Sequence, residues 1–468
     1  MDKSTISAND PPARPGYVTL RASLLARQSS LEAAGAARQN GKPSVATACP
    51  PMLAAPDPPA TESAAKLARL VRTFRSLIDL PDPGSLEVML GAYAGNRMTG
   101  SPVWLLLVGP PSGGKGEVIA PFEGLPFTHE ADKVTEAALL SGTPKDGRSS
   151  DATGGLLREV GDFGIFVMKD FTSVFTQNRD ERGKALSALR HCYDGKYPRP
   201  IGGEGGKTLV WKGKLGIIGG VTEAIDIEHA VMAKLGPRFL LFRLPDADEV
   251  KQAEQAYDTT EVADGIRADL LAEVGGFIQS CDFNAGMAAP SAGDRDWMVA
   301  LSTLSVRCRS HVERHPYTRE IEQIPQPEGP GRMMRALRQL WAGLAVIGVS
   351  PPRRRELVRK VALDSIPPLR RMGLEYLAAP GVREASLSDI AKTCCYAQQT
   401  IRRALQDLAC HGIVESRRAS GKGEAEFWSI AERRKPVCKL LGIRPAAGGL
   451  RAAPFTVNRR VSTVGERE

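Results

Sequence analysis

The residues with the clearest chemistry lie in Gly109-Pro110-Pro111-Ser112-Gly113-Gly114-Lys115-Gly116, a G-x-x-x-x-G-K spacing followed by Glu117. Glycines let a backbone fold tightly enough for successive N–H groups to face one anion, and a lysine at this spacing reaches the outer phosphates of a nucleotide. Such a loop predicts ATP and Mg²⁺ as cofactors. Gly116 departs from the pattern, because a serine or threonine hydroxyl ordinarily ligates Mg²⁺ there. Nucleotide binding is therefore better supported than turnover. A second G-K-T, Gly206-Lys207-Thr208, has Ile201 where the first glycine belongs and no buried strand before it, so it reads as a hairpin tip.

A phosphate loop works only between a buried strand and a helix. The apolar run ending at Val108 and the segment from Lys115 supply that setting. Short apolar runs at 103–108, 127–130, 165–168, 215–219 and 239–244 read as strands, alternating with helical patterns near 115–121, 134–141, 181–192 and 227–235. That alternation predicts an α/β fold with a mostly parallel sheet and helices on both faces. Helical spacing before it predicts helices over about 61–78 and 86–93. Residues 247–347 read as helical with a break at Pro325 to Gly331, and the chain from about 364 onward as a separate small unit.

In this order the motifs resemble the AAA+ superfamily over roughly residues 80–350, and most closely helicase-like members such as the minichromosome-maintenance and superfamily 3 helicases. The resemblance implies that Asp170, after Ile165-Phe-Val-Met168, holds the Mg²⁺ shell. Phe171 stands where the catalytic glutamate would follow, leaving Glu159, Asp162 or Glu117 as substitutes from neighbouring loops. It further implies Thr222 as sensor of the γ-phosphate, Arg238 in Leu235-Gly-Pro-Arg-Phe239 as an arginine finger toward a neighbouring subunit of a homo-oligomeric ring, and a helical lid carrying Arg332 as a second sensor. Arginine suits these roles because its charge is permanent and its planar fork matches phosphate oxygens. The stretch from Lys196 to Lys212 resembles the hairpin that lines helicase pores, with Lys207, Arg199 and Lys212 as candidate DNA contacts.

Near the C-terminus, Ser386 caps a first helix and Gln398 to Leu408 forms a second, with Ile401, Leu405 and Leu408 inward. Gln398, Gln399, Thr400, Arg402, Arg403 and Gln406 then face outward, side chains suited to base edges and phosphates. Two strands follow, 413–418 and 426–430, with Arg417, Arg418 and Lys422 at their tip. The combination resembles winged-helix regulators over about residues 367–431 and implies DNA as a partner.

Composition agrees with a globular chain: 468 residues, 42% hydrophobic and 25% charged, with net charge +9. The eight cysteines form no C-x-x-C pair, which favours reduced thiols. Cys308, His311 and His315 would share a helix face but lack a fourth ligand, so zinc is set aside. No apolar run approaches the roughly 20 residues of a membrane span, and no secretory signal is evident, so a cytoplasmic location is expected. The predicted organisation is a disordered leader at 1–60, an AAA+-like nucleotide-binding core at 61–246, a helical lid and linker at 247–363, a winged helix-turn-helix at 364–432 and a basic, loop-like, disordered tail at 433–468. The leading expectation is an ATP-dependent helicase or replication initiator of a mobile element. A DNA-binding transcriptional regulator switched or assembled by nucleotide is the rival, and a kinase-like phosphotransferase the third.

Overall fold

The computed structural model describes residues 62–77, 80, 82–131, 134–141, 154–201, 207–229, 232, 238–246, 248–260, 263–283, 290–418 and 425–443. Helices α1 (Glu62–Leu77) and α2 (Gly84–Arg97) precede the first strand. Leu67, Leu70, Val71 and Phe74 recur at helical spacing along α1, and all four are buried. Strand β1 (Trp104–Val108) enters the glycine-rich loop and the short α3 (Lys115–Ile119). Then come β2 (Thr128–Glu130), α4 (Glu136–Leu139), α5 (Leu156–Val160), β3 (Phe163–Met168), α6 (Thr172–Phe175) and α7 (Arg179–Tyr193). An antiparallel hairpin of β4 (Lys196–Ile201) and β5 (Lys207–Lys212) leads into β6 (Lys214–Val221), α8 (Ala224–Ile227) and β7 (Phe239–Arg243).

The five long-range strands pair in parallel in the order β2-β3-β6-β1-β7. Alternate residues of each strand point to opposite faces. Leu105, Leu107, Ile165, Val167, Ile218, Leu240 and Phe242 enter one core with α1 and α2. Trp104, Leu106, Val108, Phe166, Met168, Ile217 and Leu241 enter another with α7. Burial on both sides explains the continuous apolar runs, which a half-exposed strand would break with polar residues. The mixed α/β architecture expected from the sequence is the one observed.

Beyond the sheet lie α9 (Glu249–Thr259), α10 (Ala263–Gln279), α11 (Ala292–Arg309), a small hairpin of β8 (Glu313–Arg314) and β9 (Ile321–Gln323), α12 (Gly331–Val346) and α13 (Pro351–Asp364). The hairpin corrects the expectation of a wholly helical segment. Because α11 ends at Arg309, His311 and His315 share no helix face with Cys308, and no group able to hold a metal is found among the described residues.

The chain continues through α14 (Pro368–Leu377), β10 (Ala385–Ser386), α15 (Leu387–Cys394), α16 (Gln398–Cys410), β11 (Val414–Arg418), β12 (Glu426–Ile430) and α17 (Lys435–Leu441). Ser386 caps α15, its hydroxyl accepting from the Asp389 N–H at 3.1 Å. The strands form an antiparallel sheet in the order β10-β12-β11.

Two expectations fail here. The loop-like tail from residue 433 instead begins with α17, whose Cys438 and Leu441 are buried against α11. The elements after residue 364 also share one continuous apolar core with α2, α11 and α12, through Leu374, Ile390, Ile401 and Leu405, rather than standing apart. Among the described residues no helix is long and apolar enough to cross a membrane.

Candidate nucleotide-binding site

β1 lies between β6 and β7, so its carboxyl end opens among strand ends on both sides, the usual position of a ligand crevice in a parallel sheet. The loop leaves that end anchored by the Gly109 N–H, which donates to the Val221 carbonyl at 3.3 Å. Ser112 and Gly114 adopt positive φ of 58° and 78°, giving the tight reversal that glycine permits most readily. Lys115 folds back over the loop, its Nζ donating to the carbonyls of Gly109 at 2.8 Å and Pro110 at 2.5 Å. Partial burial holds its ammonium below the usual lysine range, and the Asp170 and Glu223 carboxylates act in the opposite direction. Both acids therefore lie within electrostatic reach of Lys115. Gly116 faces open space, with nothing within 4 Å of a Cβ built there.

Asp170 is exposed just past β3, and its Oδ1 accepts from the Thr172 N–H at 2.8 Å. Thr172 in turn meets the end of β6. The Thr222 N–H donates to its hydroxyl at 3.1 Å, and the two hydroxyls are 3.2 Å apart. Gly220 permits this approach, since a Cβ there would come within 2.8 Å of the Lys169 carbonyl oxygen. Lys115, Asp170 and Thr222 are thus brought to one edge. Phe171 points the other way, fully buried against the rings of Phe175 and Phe239.

Of the substitutes for the missing glutamate, Glu159 and Asp162 lie before β3, at the amino edge of the sheet. The six-residue strand between them and Asp170 spans about 20 Å. Neither serves the loop. Glu117 is at the right edge but is paired with Arg267 of α10 at 2.6 and 2.9 Å. These two residues help line a cavity of about 410 Å³ beside the loop, together with Ser112, Gly113, Gln252 and Ser85. The Ser85 hydroxyl is buried there without a hydrogen-bond partner among the described residues.

Two arginines singled out in the sequence stand at the opposite edge of the sheet from the loop. Arg238 precedes β7 at the amino edge, its side chain 3% exposed, paired with Asp194 at 2.9 Å and lying over the Tyr193 ring. In this chain its guanidinium is thus held by Asp194 and the Tyr193 ring, away from its own loop. α12 runs antiparallel to α2, with Leu344 against Gly91 and Gln339 against Gly95. This direction carries Arg332 to the same amino edge, near Arg238 and Tyr193, about 16 Å of β1 away from the loop. It does not sense the loop within its own chain.

Sequence reasoning missed Glu223, Ser85 and Arg267. Glu223 follows Thr222 at the end of β6, a signal that was readable. Ser85 and Arg267 reach the cavity only through tertiary packing.

On the C-terminal surface, Gln398 and Gln399 are exposed and Thr400, Arg402 and Arg403 half-buried. Arg402 is held by Glu426 at 2.8 Å and Gln399 at 2.9 Å, and Arg417 by Glu384 at 2.5 Å, while Arg418 is exposed. Arg314 of the β8–β9 hairpin reaches Asp407, Gln406 and the Arg403 carbonyl, covering the later half of the outward face of α16. Lys422 and the side chain of Lys207 lie outside the described residues. Arg199 turns to the Leu140 carbonyl, whereas Lys212 is exposed.

Charged pairs join this surface to the sheet. Arg243 at the end of β7 grips Asp226 with two 2.7 Å bonds, and its N–H donates to the fully buried Asp364. Asp364 also accepts from Lys360 and Arg371, and Arg370 reaches Asp407 of α16 at 2.9 Å.

No protein-family model and no curated protein matches the chain. Among solved structures, it is similar to the active helicase Cch of SCCmec type IV, at 11% identity over 81% of this chain and 71% of that one, with a TM-score of 0.33. It is also similar to the C-terminal region of NrS-1 in its A-form apo structure, at 12% identity over 78% and 75%, with a TM-score of 0.21. The fold rests on the parallel five-stranded sheet itself, a P-loop-like α/β arrangement flanked by helices.

Proposed function

We propose that this chain is an AAA+-like protein that binds ATP with Mg²⁺ at the Gly109–Glu117 loop and acts on DNA as a helicase or replication initiator of a mobile element, in the cytoplasm. The observation that carries the reading is the convergence of Lys115, Asp170 and Thr222 at the carboxyl edge of β1, β3 and β6. Backbone N–H groups and Lys115 would hold the phosphates, the adjoining cavity the nucleoside, and Asp170 the hydrated metal. The metal would supply charge neutralisation at the phosphates. Gly116 offers it no oxygen, so the chain provides one ligand fewer than usual.

The helix pair α15–α16 with strands β11–β12 supports a winged-helix DNA contact. Gln398, Gln399, Thr400, Arg402 and Arg403 would face the groove, with Arg417, Arg418 and Lys422 on the wing and Lys207 on the second hairpin. A homo-oligomeric ring belongs to the reading, with Arg238 as the cation offered to a neighbouring subunit's nucleotide. The rival, a transcriptional regulator that uses nucleotide as a switch, is favoured by the absence of a hydroxyl at Gly116 and of a carboxylate at Phe171.

The deciding experiment measures ATP binding and hydrolysis with and without single- and double-stranded DNA, for wild type and Lys115→Ala. DNA-stimulated turnover that disappears in the variant supports the motor. Binding without turnover leaves the switch, and absence of binding removes both.

A further inference from the structure

The carboxylate that would activate water is missing from the place after Asp170, and the fold explains why it cannot be there. The Phe171 side chain fills the core between Phe175 and Phe239, where an ionised glutamate would be buried without a partner. Other acids near the phosphate loop are engaged. Glu117 is bound to Arg267, Glu123 to Lys169 at 2.7 Å, and Asp170 accepts from the Thr172 backbone.

Glu223 differs from all of these. β6 is hydrogen-bonded alongside β1, with Val221 opposite Val108 and the Gly109 N–H donating to the Val221 carbonyl, so Thr222 and Glu223 leave β6 at the same edge at which the loop leaves β1. Glu223 is exposed there, next to Thr222, and its side chain makes no hydrogen bond or close ion pair among the described residues. Its carboxylate favours the charged form of Lys115 and so lies within electrostatic reach of that ammonium.

We propose that Glu223 is the general base of nucleotide hydrolysis in this chain, replacing from the end of β6 the glutamate that β3 lacks. The assignment rests on the reading of the loop as an ATP site. In the step, a water oxygen forms a bond to the γ-phosphorus as the bond from that phosphorus to the β,γ-bridging oxygen breaks. The water proton passes to the Glu223 carboxylate and then to solvent, and ADP and inorganic phosphate leave. A free carboxylate suits this because it must accept a proton in the transition state without first surrendering an ion pair.

The test compares wild type with Glu223→Gln and Glu130→Gln in the full chain, measuring steady-state turnover and the affinity of a fluorescent ATP analogue. Glu130 lies at the same edge of the sheet but on the outer strand β2, and is the rival base. The amide keeps the size of the glutamate and removes its basicity. Turnover should fall about 100-fold or more in Glu223→Gln, with affinity within about twofold of wild type and the melting temperature unchanged. Glu130→Gln should turn over like wild type. Undiminished hydrolysis in Glu223→Gln, loss confined to Glu130→Gln, or binding without hydrolysis in the wild type would each overturn the assignment. Failure of the wild type to bind nucleotide would instead strike the reading of the loop.

Discussion

The Phe171 N–H donates to the Gly220 carbonyl at 2.8 Å, fastening the turn after β3 to the last residues of β6. This bond fixes which way each neighbour points. Asp170 faces the phosphate loop, and the next side chain is driven into the core.

Replacing Phe171 by glutamate should therefore not create an active site. The substitution removes a buried aromatic side chain and introduces a charge among the rings of Phe175 and Phe239, a loss of about 3–5 kcal/mol. Urea unfolding should show the midpoint falling by that equivalent. A Phe171→Glu protein as stable as wild type, with raised turnover, would refute this account of the core.

Gly116→Ser has the opposite expectation. Nothing lies within 4 Å of a Cβ at this position, and its φ is not in the left-handed region, so the hydroxyl enters without strain. The melting temperature should stay within about 2 °C of wild type. If Mg²⁺ shares the site, ATP affinity in its presence should rise about 5–10-fold, near 1 kcal/mol, and be unchanged in EDTA. Calorimetry under both conditions checks the difference, and equal affinities would exclude a metal beside Gly116.

Acid should weaken the fold through His229. Burial, with Arg370 and His311 close by, pushes its imidazole down to about 3, and its Nε2 lies 3.0 Å from the Arg309 carbonyl. The folded chain thus keeps this histidine neutral where the unfolded chain, with an ordinary pKa near 6.5, takes up a proton. Its contribution to stability is complete above that value and is lost as pH falls from about 6.5 toward 3, by up to about 1.4 kcal/mol per unit. Unfolding measured from pH 7.5 to 5 should show the slope, reduced in His229→Gln. Equal slopes for the two proteins would place the acid sensitivity elsewhere.

Much of this arrangement was legible in the sequence because it is local. The loop from Gly109 to Gly116, the strand before it and the hairpin from Lys196 to Lys212 are contiguous patterns whose spacing reports their geometry. Arg332 was less legible. Arg332 occurs in plausible order, but a one-dimensional order does not tell the carboxyl edge of a parallel sheet from its amino edge, and α12 running against α2 decides that question for Arg332. The burial of Phe171 was equally hidden, since an aromatic residue after a strand reads the same whether it faces solvent or core. The C-terminal helices were read correctly as elements, yet their attachment was not, because Asp364, Arg370 and Asp407 find their partners across long stretches of chain.

That attachment has a mechanical consequence. Only Ser365, Ile366 and Pro367 separate α13 from α14, and Ile366 is fully buried, so the C-terminal helices are joined to the sheet by a short, packed connection. A tethered module samples orientations freely and finds its ligand by diffusion at the end of its leash. Here the outer helices are joined through α13 to β7, and that strand continues directly into Leu244 and Pro245 on the wall of the cavity. A connection this short would carry a displacement of the cavity wall toward the outer helices, without the loss that a flexible tether brings.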